Sequence, residues 1–148
     1  MTQANRLPFG TALALAQRTL AVPLAAVLDS EGLAMPEWFT LNALGLRGST
    51  RIEVLADLLA TNGLDAAAVR DLVVAMDASG LVRVHDGVAS LTPAGTTRYT
   101  ALRGRIDLVT ARIFGQYDAG RVETTRSLLQ EIADTDAEQL TRQFVQAS

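Results

Sequence analysis

Between Ser79 and Thr92 the hydrophobic period of this chain changes, and that change restricts the fold more than any other feature. On both sides apolar residues recur at steps of three and four, the period of one helix face. In between, residues 81–85 and 88–91 read as two β-like runs separated by Asp86-Gly87. An Asp-Gly pair in that position favours a two-residue type I′ hairpin, because both turn residues must take positive φ. A mainly helical chain therefore has to accommodate one small β-hairpin.

The helices around it can be placed from their apolar faces and their punctuation. Phe9, Leu13, Ala16, Leu20, Leu24 and Val27 line one face of a helix expected over about residues 8–29, which Pro23 should kink or divide. Met35-Pro36-Glu37 opens a short helix with proline in its first turn, Trp38, Leu41 and Leu44 on the buried side, and Gly45 as its stop. Ser49 or Thr50 is the expected cap of the next helix, whose apolar positions are Ile52, Leu55, Leu58 and Leu59. After the Thr61-Asn62-Gly63 turn, Asp65 caps a helix with Val69, Leu72, Val73 and Met76 inward. Two short helices joined by such a turn read as helix-turn-helix. Thr92 caps, and Pro93 begins, a long helix with Leu102, Ile106, Val109, Ile113 and Tyr117 near a heptad seam. A last helix beyond Gly120 carries Leu128, Leu129, Ile132, Leu140 and Phe144.

Composition narrows the chemistry. The chain of 148 residues has no cysteine, no lysine and a single histidine, His85. Thiolate metal sites, cysteine nucleophiles and Schiff-base lysines are thereby excluded, and no catalytic constellation or cofactor motif is found. One histidine without partners does not build a metal site. An enzyme is not expected. The residues are 49% apolar, enough for a real core. Gln17 and Arg18 interrupt the apolar stretch near the N-terminus, and no run of about 18 apolar residues occurs, so neither a signal peptide nor a membrane span is expected. The expected location is the cytoplasm.

The net charge of −3 is unevenly spread. Residues 51–95 carry three arginines against six carboxylates, whereas residues 96–126 carry six arginines against three. A generally basic coat for nucleic acid is absent.

Read together, the elements give a mainly α fold with a small β-hairpin, a winged helix-turn-helix flanked by N- and C-terminal dimerisation helices. The order of motifs resembles the MarR family of regulators. Residues 32–45 (GLAMPEWFTLNALG) resemble the family segment in which Pro-x-Trp opens the second helix. Residues 54–59 look like the first helix of its helix-turn-helix, and residues 63–82 like its recognition helix and the start of its wing. Leu91-Thr92-Pro93-Ala94-Gly95 matches its wing exit. Family wings are usually longer and basic at the tip, whereas here the tip is Asp86-Gly87.

The resemblance implies a single domain over residues 1–148, with a winged-helix lobe at about 34–96 and dimerisation helices at 7–29 and 97–147. It implies a homodimeric regulator, a repressor, that grips a pseudo-palindromic operator in double-stranded DNA. Arg70 is suited to guanine, and Ala66, Ala67, Asp71 and Val74 share its outward helix face, where Asp71 and the nearby Asp77 would oppose a phosphate backbone. Arg47 and Arg51 are candidate phosphate contacts, and Arg83 and His85 are the basic side chains nearest the wing tip. Trp38, Phe39, Tyr99, Phe114 and Tyr117 lie on elements that line a ligand cleft in that family. There Arg112, Arg98 or Arg103 could meet a small aromatic or phenolic anion that releases the DNA. The same arginines could instead pair with Glu131, Asp134 or Asp136. The rival expectation is a winged-helix dimer that has lost duplex binding and serves as a protein-interaction or ligand-sensing module.

Overall fold

The computed structural model describes residues 6–146. It divides into two compact units, one ending at Asp107 and one beginning at Leu108. In the first unit, α1 (Phe9–Ser30) and α2 (Met35–Arg47) lead into a two-residue strand β1 (Thr50–Arg51). Next come α3 (Ile52–Ala60), α4 (Ala66–Ala78), and the hairpin strands β2 (Val82–His85) and β3 (Val88–Leu91). Helix α5 (Pro93–Phe114) starts in this unit.

The core of the first unit is gathered from every one of these elements except the two-residue strand. Leu28, Trp38, Leu41, Leu44, Leu55, Leu59, Val69, Val73, Met76, Val82, Ala89 and Leu102 are all buried in one cluster. The expected inward faces of α2, α3 and α4 supply most of them. Helix α4 begins where Asp65 accepts a hydrogen bond from the Ala68 amide at 2.8 Å, which satisfies one of the free first-turn donors. Helix α5 begins in the same way, with Thr92 Oγ1 accepting from the Gly95 amide at 3.0 Å while donating to the Gly80 carbonyl at 2.6 Å. One hydroxyl thus fastens the start of α5 to the end of α4. Gly95 is required there, since a Cβ would run into the Leu81 carbonyl.

The hairpin turns as its Asp-Gly pair dictates, with Asp86 and Gly87 at φ of 49° and 74°. Its sheet has three strands in the order β1-β3-β2, all antiparallel.

Several local expectations are corrected. Pro23 does not divide α1, which is continuous from Phe9 to Ser30. Most of the apolar face expected to be buried on that helix is open, with Phe9 61% and Leu13 40% exposed and only Val27 and Leu28 buried. By length and composition α1 is apolar enough to cross a membrane, with mean hydropathy 1.5, although Gln17 and Arg18 interrupt its apolar stretch. Gly45 does not stop α2, which runs to Arg47 and ends at Gly48 with φ 81°. Gly45 lies inside the helix because the Tyr99 ring rests where its side chain would be. Neither Ser49 nor Thr50 caps α3; the cap position is Arg51, without a side-chain cap. Thr50 is drawn into β1 opposite Ala89 and donates instead to the Gly48 carbonyl at 2.9 Å.

In the second unit, the single last helix expected is two helices, α6 (Ala119–Ala133) and α7 (Ala137–Phe144). Asp136 caps the new start after the break, accepting from the Glu138 amide at 2.9 Å, as Asp118 caps the start of α6, accepting from the Arg121 amide at 2.9 Å. Gly120 lies within the first turn of α6, and Tyr117 lies in the turn before it rather than on the α5 seam. None of the described residues of this unit is buried.

Candidate nucleic-acid interface

Helix α4 is amphipathic across its whole length. Val69, Val73 and Met76 are buried, and Ala66, Ala67, Arg70, Asp71 and Val74 are exposed on the other side. Val74 is 68% exposed, unusual for a β-branched aliphatic and therefore informative. Arg70 has no ion-pair partner among the described residues, so its guanidinium fork is available to a ligand.

The wing supplies a second surface. Strand register sets Arg51 opposite Val88, Val88 opposite His85, and Arg83 opposite Ser90. Side chains alternate faces along a strand, so Arg51, Arg83 and His85 share the outer face of the sheet, while Thr50, Ala89 and Val82 turn inward. All three basic residues are exposed. The Ile52 amide donates to the Gly87 carbonyl at 2.9 Å, which ties the hairpin tip to the start of α3. Arg51 is 3.7 Å from Glu53, and His85 is 3.3 Å from Asp86, both pairs on the surface where they contribute little.

Between α4 and this sheet runs an open groove of about 700 Å³, lined by Ile52, Arg70, Val73, Val74, Asp77 and Val84, with Ala78 at its end. It joins two of the expected site residues, Arg70 and Val74, to five that were not expected to share a site with them: Ile52, Val73, Asp77, Ala78 and Val84. Ile52 and Val84 carry only the signal of core residues. Ile52 follows directly on β1, a strand the sequence did not reveal, and Val84 lies on β2. Arg47 is exposed in the last turn of α2, apart from this groove.

The aromatic set expected to line a ligand cleft is distributed over both units. In the first unit Trp38 is only 3% exposed and stacks on Tyr99, with ring centroids 6.0 Å apart at 20°. Phe39 and Tyr99 are partly buried against the same core. Arg98 and Arg105 both engage Glu31 at the end of α1, Arg98 donating also to the Glu31 carbonyl. Arg103 donates to Asp107 at 2.8 Å and to the Asn42 side chain at 3.4 Å. Arg98 and Arg103 therefore have partners within the first unit. Asp136 lies near Arg142, at 3.9 Å, and Asp134 accepts from Gln130.

In the second unit Arg112 is exposed near the end of α5, Phe114 is partly buried, and Tyr117 is 60% exposed. There the hydrogen bonds from Arg126 hold the Glu123 carboxyl below the usual carboxylate range. Among the described residues, no group of three or more potential ligand side chains is gathered for a metal ion.

The helices α2, α3 and α4 with the three-stranded sheet have clear structural counterparts. Ligand-free NadR superposes with a TM-score of 0.75 over 85% of this chain and 95% of its own, at 18% identity. The fold is that of the MarR-family regulators. A Mycobacterium tuberculosis MarR-family protein solved in complex with DNA gives a TM-score of 0.72 at 20% identity, covering 86% of this chain and 98% of its own. BpsR of Bordetella bronchiseptica, whose DNA binding is regulated by 6-hydroxynicotinic acid, gives 0.69 at 20% identity, over 92% of this chain and 99% of its own. No protein-family model and no curated protein matches the sequence. The MarR fold thus persists here at identities where sequence comparison alone finds nothing.

Proposed function

We propose that this chain is a MarR-type regulator that binds duplex DNA as a homodimer and responds to a small aromatic ligand. The observation that carries the reading is the pairing of an unneutralised Arg70 on the open face of α4 with a wing face bearing Arg51, Arg83 and His85. A helix presented in this way enters a major groove, where an arginine donates two hydrogen bonds to guanine. On this reading the wing arginines and Arg47 would meet phosphates rather than base edges, and Ala66, Ala67 and Val74 would meet thymine methyl groups. Few basic residues take part, so the affinity should depend on base contacts more than on counterion release.

The homodimer is supported by apolar surface that has no partner within its own helices. Phe9, Leu13 and Leu20 on α1, and Leu128, Ile132, Leu140 and Phe144 on α6 and α7, are all at least 38% exposed. Monomers seldom leave such stripes open, and a twofold partner would cover them and set two α4 helices against successive half-sites of a pseudo-palindrome. The same coverage would remove α1 from consideration as a membrane span, with Arg18 at its middle adding a cost of about 2.5–3.5 kcal/mol in a bilayer. A soluble, cytoplasmic repressor without enzymatic activity is the reading we favour. Its candidate ligand residues are Trp38, Phe39, Tyr99, Arg112, Phe114 and Tyr117. Ligand binding would favour a dimer state that no longer fits the operator.

The test is titration of the purified protein against fluorescent duplexes from its own upstream region at two salt concentrations. Selective binding is expected, and Arg70→Ala should weaken the cognate duplex by about 1–3 kcal/mol. Absence of any selective binding at low salt would overturn the reading.

A second reading rests on the groove beside α4, whose lining is mostly aliphatic, and on the acidic balance of residues 51–95. On that reading the lobe docks a protein instead of a duplex, and a positive potential across α4 and the wing would be lacking.

A further inference from the structure

Asp71 is an unexpected residue on a surface meant for DNA. It is exposed on α4, one residue from Arg70 and on the side opposite the buried Val69, Val73 and Met76. Its neighbours one helical turn away, at three and four positions on either side, are Ala67, Ala68, Val74 and Ala75. None can donate a hydrogen bond to it or neutralise it. No ion pair or side-chain hydrogen bond engages it among the described residues, as is also true of Asp57 and Asp77 in the same lobe, whereas Asp65 and Asp118 cap helices and Asp107 pairs with Arg103. Because its flanking side chains are small, the carboxylate projects to the outermost ridge of the helix.

A carboxylate on that ridge, brought into a major groove, loses water and gains the repulsion of nearby phosphates. Guanine O6 and N7 and thymine O4 are acceptors and add to the penalty. Only an exocyclic amino group relieves it, and cytosine N4, the one group offered without an adjoining acceptor on the same base, suits an aspartate best. Resting on the reading of α4 as the DNA-recognition helix, we propose that Asp71 is a specificity-determining residue. It admits a half-site that places a cytosine amino group before it, beside the guanine read by Arg70, and it penalises every other sequence. The acidic balance of this lobe is then a means of suppressing non-specific binding, which phosphate contacts would otherwise supply.

The experiment is selection of the full-length protein, its Asp71→Asn variant and its Asp71→Ala variant on a pool of random-sequence duplexes. Affinities are then measured on the selected and scrambled duplexes. The native protein should require cytosine at one position in each half-site. Asp71→Asn, which can address adenine N6 and N7, should shift that position toward adenine, and Asp71→Ala should abolish the preference. Either change should narrow the ratio of specific to scrambled affinity by about tenfold or more. Equal strengthening of cognate and scrambled duplexes by both variants, with the selected sequence unchanged, would overturn the proposal and leave Asp71 a solvated charge. If the native protein selects no sequence, the parent reading of α4 fails and this proposal fails with it. If the native protein selects a site indifferent at every position to Asp71, only this proposal fails.

Discussion

Leu55 on α3 and Ile132 on α6 occupy the same kind of place, the middle of an apolar stripe at helical spacing. Yet Leu55 is 0% exposed and Ile132 is 45% exposed. The stripe of α3 meets α2, α4 and the hairpin within its own unit and closes a core. The stripes of α6 and α7 meet no such set, and no described residue of their unit is buried. Apolar residues at helical spacing therefore have two different outcomes. In one unit they are satisfied by the chain's own fold, and in the other they demand a second surface, because apolar helices of this length gain little stability unless their faces are covered.

The contrast can be broken most directly at Leu55. Leu55→Ala should destabilise the first unit by about 2–5 kcal/mol, since the lost methyl groups leave a cavity in a fully enclosed site. Denaturant unfolding followed by far-ultraviolet circular dichroism reads that loss, and a change under about 1 kcal/mol would mean that the core is less closed than its burial indicates. Next in size is Ile132→Asp. If a second copy covers the stripe, the substitution should remove about 1.5–3 kcal/mol of apolar burial per chain and leave a carboxylate in the interface. Light scattering should then report a monomer where the native protein is a dimer. An unchanged dimer would place its contacts elsewhere, on α1 for example. The smallest effect is expected at Asp65→Ala, which removes one capping hydrogen bond at the start of α4 and should cost about 1 kcal/mol. It sharpens the comparison because α4 is held by packing as well as by its cap, so its loss should lower stability without abolishing a DNA-binding face.

Much of the candidate interface was legible in the residues. Arg70, Val74, Ala66 and Ala67 could be assigned to the open face of α4 because Asp65 marks the helix start and Val69, Val73 and Met76 mark its inner side. The hairpin was legible in Asp86-Gly87, whose turn needs positive φ at both positions. The strand β1 was not legible. Two residues carry no period, and Thr50 looks like a helix cap until β3 offers it a partner. That strand is what brings Arg51 onto the same sheet face as Arg83 and His85. The role of Gly45 was hidden for a similar reason. A glycine near a helix end reads as a stop, and only the Tyr99 ring, 54 positions away in the sequence, reveals it as a site of close approach.

The sequence by itself determined which residues form helices, where the hairpin turns, and which side of each helix is apolar. These depend on interactions within a few residues: caps, turn conformations and the spacing of side chains around a helix. Only the tertiary structure decided which apolar faces are covered, which arginines are already engaged, and which small groups of residues stand together at the groove beside α4. Arg98 and Arg105 reach Glu31 across about seventy intervening positions, whereas Arg70 meets no acid among the described residues. Local spacing cannot distinguish the two cases, because an ion pair depends on where distant elements bring its partners.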